Sequence, residues 1–258
     1  MSLNPPVREW KGRRIWIIGA SSGIGAAVAR ELLARGCRVA LSARSIAGLE
    51  HVAAMHPDTA LVAPMDVTDA VAVAPVLQRI VAAWNGIDLV LLCAGTYRPE
   101  RAWTLDAGAA RKLVDVNLNG VINCLPPVVA QLLAQKSGGV AVVSSVAGYG
   151  GLPTALVYGA TKAALINLAE TLYLDLAPRG IAVYLINPGF VKTPLTDRNR
   201  FDMPALISAE EAAREIVRGI GRGRFEIHFP RRFTLWLKLL GLLPYRWYFA
   251  LVHKGTGM

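Results

Sequence analysis

A chain of 258 residues, 53% hydrophobic and 18% charged, is long and apolar enough to bury a full-sized core, which excludes an intrinsically disordered protein. Three cysteines without C-x-x-C spacing and four scattered histidines argue against a disulfide framework and a metal site, and point to reduced thiols in a cytoplasmic protein. The net charge of +10 raises nucleic-acid binding, but no basic-aromatic module accompanies it: after Glu226 there is no acidic residue, while Arg231, Arg232, Lys238, Arg246 and Lys254 set five positive charges beside leucines and aromatics.

The N-terminal "MSLNPPVREWKGRR" has no apolar core of a signal peptide. "RIWIIGA" then reads as a strand, followed by a glycine-rich turn and the helix "IGAAVARELLARG". The strand "CRVALSA", the helix "IAGLEHVAAM", the strand "TALVAPM", a helix over Asp69 to Trp84 and the strand "IDLVLLCAG" come next. A long helix is expected over about 105–135, with a kink at the "LPP" of 125–127. The strand "GVAVVSS", a helix over Pro153 to Ala177, the strand "IAVYLINPG", a loop, the helix "SAEEAAREIVRGI" and the short strand "FEIHF" complete the pattern. Apolar runs alternating with helices predict an α/β fold: one Rossmann-type, doubly wound parallel sheet of about seven strands in a single domain over 1–230.

Residues 231–258 break this pattern. "RRFTLWLKLLGLLPYRWYFALVHK" predicts two short amphipathic helices hinged at Gly241 and Pro244, with Phe233, Trp236, Leu237 and Leu240 on one face and Arg231 and Lys238 on another. Lys238 and Pro244 interrupt any membrane-spanning run. The extension is expected to pack on its own domain and close a cleft, with peripheral lipid contact through 231–254 as the alternative.

"GASSGIG" follows the first strand and opens the first helix. Glycines there let the backbone turn tightly and approach a pyrophosphate seated on the helix N-terminus, so Gly19, Ser21, Ser22, Gly23, Ile24 and Gly25 are candidate cofactor-binding residues. The same stretch matches the G-x-S-x-G nucleophile elbow of a hydrolase, but the first strand is the wrong place for it, and Gly25, Tyr158 and Lys162 would have no role. The next strand ends in Ala43-Arg44 where an NAD-binding fold wants a carboxylate for the ribose 2′-hydroxyl. A guanidinium suits a 2′-phosphate, which favours NADP(H) over NAD(H).

With these features in place, the chain resembles the short-chain dehydrogenase/reductase family over about residues 12–230. The resemblance is carried by "GASSGIG" (19–25), "MDVTD" (65–69), "CAG" (93–95), "DVNLNG" (115–120), "VVSSVAG" (142–148), "YGATK" (158–162) and "NPGFVKT" (187–193), in the family's order and spacing. It implies that Asp66 and Val67 border the adenine, that Ala94 and Gly95 lie along the cofactor, and that Pro188, Gly189, Val191 and Thr193 hold the nicotinamide end. It further implies a catalytic tetrad of Asn117, Ser145, Tyr158 and Lys162, with Ser144 on the other face of its strand. Two departures stand out: Ile18 replaces the usual Thr before the first glycine, and Leu92-Cys93 replaces two asparagines.

Hydride reduction of a carbonyl leaves an alkoxide that needs a proton, and a tyrosine with its ordinary pKa of about 10 is a poor base near neutrality. Tyr158 and Lys162 are spaced i, i+4 and share a helical face. An ammonium at about 4 Å in an effective dielectric of about 20 attracts a phenolate by roughly 4 kcal/mol, enough to lower the Tyr158 pKa by up to about 3. By resemblance Lys162 also binds the nicotinamide ribose, Ser145 binds the substrate oxygen, and Asn117 holds a water that links Lys162 to solvent. The expectation is an NADP(H)-dependent oxidoreductase interconverting a carbonyl and an alcohol of a lipophilic small molecule, with the "FVKTPLTDRNRFDMP" loop and the tail shaping the pocket. The alternative is a catalytically idle NADP(H)-binding regulator or membrane-surface adaptor. The family pattern also implies a homodimer through the helices at about 105–135 and 155–178, with the tail obstructing a tetramer.

Overall fold

The computed structural model describes residues 2–198 and 203–257. In chain order the elements are β1 (Arg14–Ile18), α1 (Gly23–Ala34), β2 (Arg38–Ser42), α2 (Ile46–Ala53), β3 (Ala60–Val62), α3 (Ala70–Trp84), β4 (Leu89–Leu92), α4 (Ala107–Val114), α5 (Gly120–Gln135), β5 (Gly139–Val143), α6 (Leu156–Leu176), β6 (Ala182–Pro188), α7 (Ala209–Gly221), β7 (Glu226–Phe229), α8 (Arg231–Leu240) and α9 (Tyr245–Thr256). Seven parallel strands form one sheet in the order β3-β2-β1-β4-β5-β6-β7. This is the predicted Rossmann-type architecture. The order reverses between β1 and β4, and the crevice outside their carboxyl ends is where such sheets bind ligands.

Side chains on a strand alternate between faces, so β1 feeds two cores. Ile15 and Ile17 pack with Ala29, Leu32 and Leu49 of α1 and α2 and Ile216 of α7. Trp16 and Ile18 face the other way, toward Val73 and Ile80 of α3, Val128 of α5 and Leu165 of α6. At the N-terminus, buried Asn4 donates to the Val183 carbonyl at 2.7 Å and accepts from the Val183 amide at 3.1 Å, which satisfies β6 upstream of its pairing with β7.

The long helix departs from expectation in where its geometry changes. It runs through Pro126 and Pro127, and the irregular stretch lies upstream, where Asp115–Asn119 form a π turn between α4 and α5. The combined helix Ala107–Gln135 is long and apolar enough to cross a membrane, yet its Val121, Cys124, Val128 and Leu132 face is core against the sheet.

The C-terminal extension forms the two expected helices with a different orientation. Phe233, Thr234, Leu237 and Leu240 turn inward, whereas Trp236 is 55% exposed and points away. Lys238 does not join a solvated polar face, because the Glu226 carboxylate on β7 draws its ammonium inward and it lies 5.2 Å from the Tyr149 ring centroid. The helices pack behind the cleft and do not line it: Phe233 lies against Phe190 with ring centroids 5.7 Å apart, and Tyr248 donates to the Gly151 carbonyl at 2.7 Å. Of the loop after β6, residues 199–202 lie outside the described residues.

Candidate active site

The glycine turn is built by close approach. A Cβ on Gly25 would sit 2.1 Å from the Gly19 carbonyl oxygen, and one on Gly19, where φ is +96°, would sit 2.6 Å from the Ala94 amide nitrogen. Both glycines let the turn nest against itself and against the end of β4. Gly23 has φ of +55°, and a Cβ there would crowd the Thr193 side chain at 3.2 Å, so Gly23 and Thr193 face each other across a narrow gap. Ser22 is the N-cap of α1 with extended backbone, which leaves the first helical amides aimed into the crevice.

Cys93 stands where the family usually has an asparagine, and its sulfur lies near the Gly25 amide. Burial raises this thiol to a pKa of about 11, so it stays neutral. Cys37 and Cys124 are likewise free thiols, raised by burial to about 12.

On the second strand end, Arg44 is exposed and lines the cavity. Asp66 accepts from the Thr68 amide at 3.0 Å and the Thr68 hydroxyl at 2.9 Å, which closes an Asx-type turn. The Thr68 amide, with contributions from its hydroxyl and from Arg44, holds the Asp66 carboxyl below its ordinary pKa.

Tyr158 and Lys162 lie on one face of the first turns of α6. The Ser144 hydroxyl donates to the Lys162 carbonyl at 2.7 Å and so locks α6 to the end of β5. A Cβ on Gly148 would lie 2.7 Å from the Lys162 carbonyl carbon, so the turn Val146–Gly148 can rest on α6 only with glycine there. Ser145 is the next residue on the strand end, turned to the opposite side, where it lies in the cavity near Tyr158; its hydroxyl accepts from the Ala147 amide at 3.1 Å and donates to the Pro188 carbonyl at 3.5 Å. Lys162, 4% exposed, donates to the Val143 carbonyl at 3.0 Å, and its nitrogen is 5.6 Å from the Tyr158 ring centroid.

The expected lowering of the tyrosine is reversed in the protein's own field. Burial pushes Tyr158 up to about 12, the Ser145 hydrogen bond opposes this only in part, and the Tyr97 and Cys93 neighbours add to it. Burial also brings Lys162 down to about 8. The physical reason is that desolvation acts on both groups and outweighs the other contributions.

Asn117 is fully buried in the π turn. Its Oδ1 accepts from the Thr96 amide at 2.7 Å, and its Nδ2 donates to the Thr96 carbonyl at 2.9 Å and the Thr161 hydroxyl at 3.4 Å. It therefore clamps the loop after β4. A Cβ on Gly95 would lie 3.6 Å from Asn117 Oδ1 and 3.8 Å from Lys162 Nζ, so Gly95 keeps a small opening between them.

These groups surround one cavity of about 490 Å³. Every predicted cofactor-binding residue lines it, as do Ser145, Tyr158 and Lys162, while Asn117 stands behind the wall. The family model for short chain dehydrogenases matches residues 13–203.

The chain belongs to the short-chain dehydrogenase family. It is 34% identical over 239 residues to an uncharacterized oxidoreductase of Myxococcus xanthus, covering 92% of this chain and 94% of that one. It is 32% identical over 186 residues to the 3-oxoacyl-[acyl-carrier-protein] reductase FabG of Staphylococcus aureus, covering 70% of this chain and 75% of that one. Among solved structures, a 3-ketoacyl-(acyl-carrier-protein) reductase from Brucella melitensis complexed with NADH shares the fold at a TM-score of 0.79 and 22% identity, covering 86% of this chain and 98% of that one. The protein is thus an oxidoreductase of a family that binds a nicotinamide cofactor.

Within this short-chain dehydrogenase, sequence reasoning missed several neighbours of the site. Tyr97 packs edge-on against Tyr158 with centroids 5.0 Å apart. Leu152 to Ala155 join Phe190 and Leu195 of the expected loop to complete the outer wall. Behind it, Glu226 accepts from Tyr149 at 2.7 Å, from Asn187 at 2.8 Å and from Lys238. Only the proximity of Tyr97 to a recognised strand end could have flagged it; the Glu226 cluster joins residues up to 89 positions apart and leaves no local signal.

Proposed function

We propose that the protein is an NADP(H)-dependent reductase of lipophilic ketones or aldehydes, with Ser145, Tyr158 and Lys162 as its catalytic groups. The observation that carries this reading is that Ser145, Tyr158 and the buried Lys162 share one cavity with the glycine turn. The crowded backbones at Gly19, Gly23 and Gly25 suit a pyrophosphate on the start of α1, and Arg44 suits a 2′-phosphate. When bound, the cofactor supplies or accepts the hydride.

The Ser145 hydroxyl hydrogen-bonds the substrate oxygen and stabilises the charge that develops there. Tyr158, with a pKa near 12, holds its proton at neutral pH and donates it to the nascent alkoxide. Lys162, fixed through Val143, sets positive charge beneath the ring and offers donors toward the opening at Gly95. Asn117 holds the Thr96 loop that forms the other side of that opening. Tyr97, Leu152, Phe190 and Leu195 give the substrate end apolar walls, in keeping with a lipophilic carbonyl compound.

In this reading the protein works in the cytoplasm, in keeping with its three free thiols, and forms a homodimer through α4–α5 and α6, which carry exposed Ile122, Leu156 and Leu174. A panel of carbonyl compounds and alcohols assayed with NADPH and with NADH tests it. Turnover faster with NADPH and greatest on apolar ketones or aldehydes is expected; inactivity across the panel despite tight NADPH binding would favour a regulator.

A further inference from the structure

The surface of α8 and α9 is unlike the rest of the molecule. Their inner residues Leu237, Leu240, Tyr248 and Val252 share one seat against Val146, Tyr149, Gly150 and Leu152, so the opposite sides of both helices face outward. On α8 the inward set is 233, 234, 237 and 240, and the outward set is 232, 235, 236 and 239, each at helical spacing. Leu235, Trp236 and Leu239 are thus exposed on one stripe, Leu242 follows in the hinge at 80% exposure, and Trp247 and Phe249 are exposed on α9. Monomeric soluble proteins seldom leave so many large apolar side chains together in water.

The charges of this surface are of one sign. Arg231, Arg232, Arg246 and Lys254 are exposed, and no acidic residue occurs after Glu226, whose carboxylate is turned inward to Lys238, Tyr149 and Asn187. A second copy of the chain docked face to face would bring four cations against four with no carboxylate of this segment to pair them. A nucleic acid would meet the cations but give the leucines nothing apolar. A bilayer rich in anionic lipid satisfies both, with phosphates at the arginines and acyl chains at Leu235, Trp236 and Leu239. Helices of 10 and 12 residues are too short to span a hydrocarbon core of about 30 Å, so they would lie in the interface.

We propose that α8 and α9 are a peripheral docking face for anionic membranes. The inference stands on this surface alone and does not depend on the redox reading. Each interfacial cation strengthens partitioning onto such a surface by about fivefold.

The test is co-sedimentation of the full-length protein with vesicles of phosphatidylcholine alone and of phosphatidylcholine with phosphatidylglycerol in equal parts. Binding to the mixed vesicles, weakened by salt and much weaker on phosphatidylcholine alone, is expected. Arg232→Gln with Arg246→Gln should lower it by about 25-fold, and Trp236→Glu or Leu239→Glu should abolish it. All four positions are exposed, and unchanged circular-dichroism melting verifies that the variants fold. Failure of the wild-type chain to bind mixed vesicles overturns the proposal. So does equal binding to both vesicle types, or a soluble higher assembly that Trp236→Glu dissolves, which would make this face an interface between copies.

Discussion

Replacing Glu226 with glutamine keeps the shape of a side chain at the centre of a half-buried cluster and removes its charge. In the wild-type chain one carboxylate oxygen accepts from Tyr149 at 2.7 Å and Asn187 at 2.8 Å, and the other accepts from Lys238. Glutamine offers one acceptor and turns an amide donor toward either the ammonium or the two neutral donors. A hydrogen bond to a charged group contributes about 1.5–3 kcal/mol. The Lys238 and Glu226 side chains retain 33% and 23% exposure, so solvent screens part of the pair, and about 2 kcal/mol is a fair expectation. For a chain of this size that lowers Tm by roughly 4–8 °C. Burial raises the Glu226 carboxyl, but hydrogen bonds from Lys238, Tyr149 and Asn187 outweigh it and hold the pKa below the ordinary value. A carboxylate lowered in this way stabilises the fold above its unfolded pKa of about 4.3 and loses that contribution as pH falls through the folded value. The gap in Tm between wild type and Glu226→Gln, measured by circular dichroism, should therefore be full at neutral pH and narrow on acidification below about 4. No gap at neutral pH, or a gap that stays constant on acidification, would refute the reasoning.

Two other outcomes follow from the site. Arg44→Ala should weaken NADPH binding by roughly 10- to 100-fold, the worth of a charge-assisted contact, and leave NADH within about twofold, as read by fluorescence titration of both cofactors. In carbonyl reduction, kcat/KM reports the free enzyme; Tyr158 near 12 stays protonated, so the profile should be flat below about pH 8 and fall above it as Lys162, near 8, loses its charge. A fall only above about pH 10 would mean that Lys162 keeps an ordinary lysine pKa in the working enzyme.

The parallel sheet, its strands and the residues that line the cavity from the recognised motifs were legible because each rests on a local signal. Apolar runs of strand length, a glycine turn and the i, i+4 spacing of Tyr158 and Lys162 all act within a few residues. Electrostatic balance was not legible in the same way. Spacing puts an ammonium near a phenol, but whether burial or attraction wins depends on Val143, Tyr97 and Cys93, which come from other parts of the chain. The tail shows the same limit. Its amphipathic character is visible in the sequence, yet the face that turns inward is chosen by Phe190, Glu226 and Gly151, and that choice left Trp236 outside. The change of helical geometry was expected at the prolines and occurs at Asp115–Asn119, where Asn117 reaches across to clamp Thr96.

The most direct test of the account is Tyr158→Phe, which removes one hydroxyl from a ring held by Tyr97 and leaves the glycine turn and Arg44 untouched. Cofactor affinity and turnover should be measured on the same preparation, against the best substrate of the carbonyl panel. NADPH binding within about threefold of wild type and a loss of kcat of at least 10²- to 10⁴-fold are expected for a general acid. Retained turnover in the phenylalanine variant would contradict the assignment of Tyr158 as the proton donor and, with it, the mechanism built around the cavity.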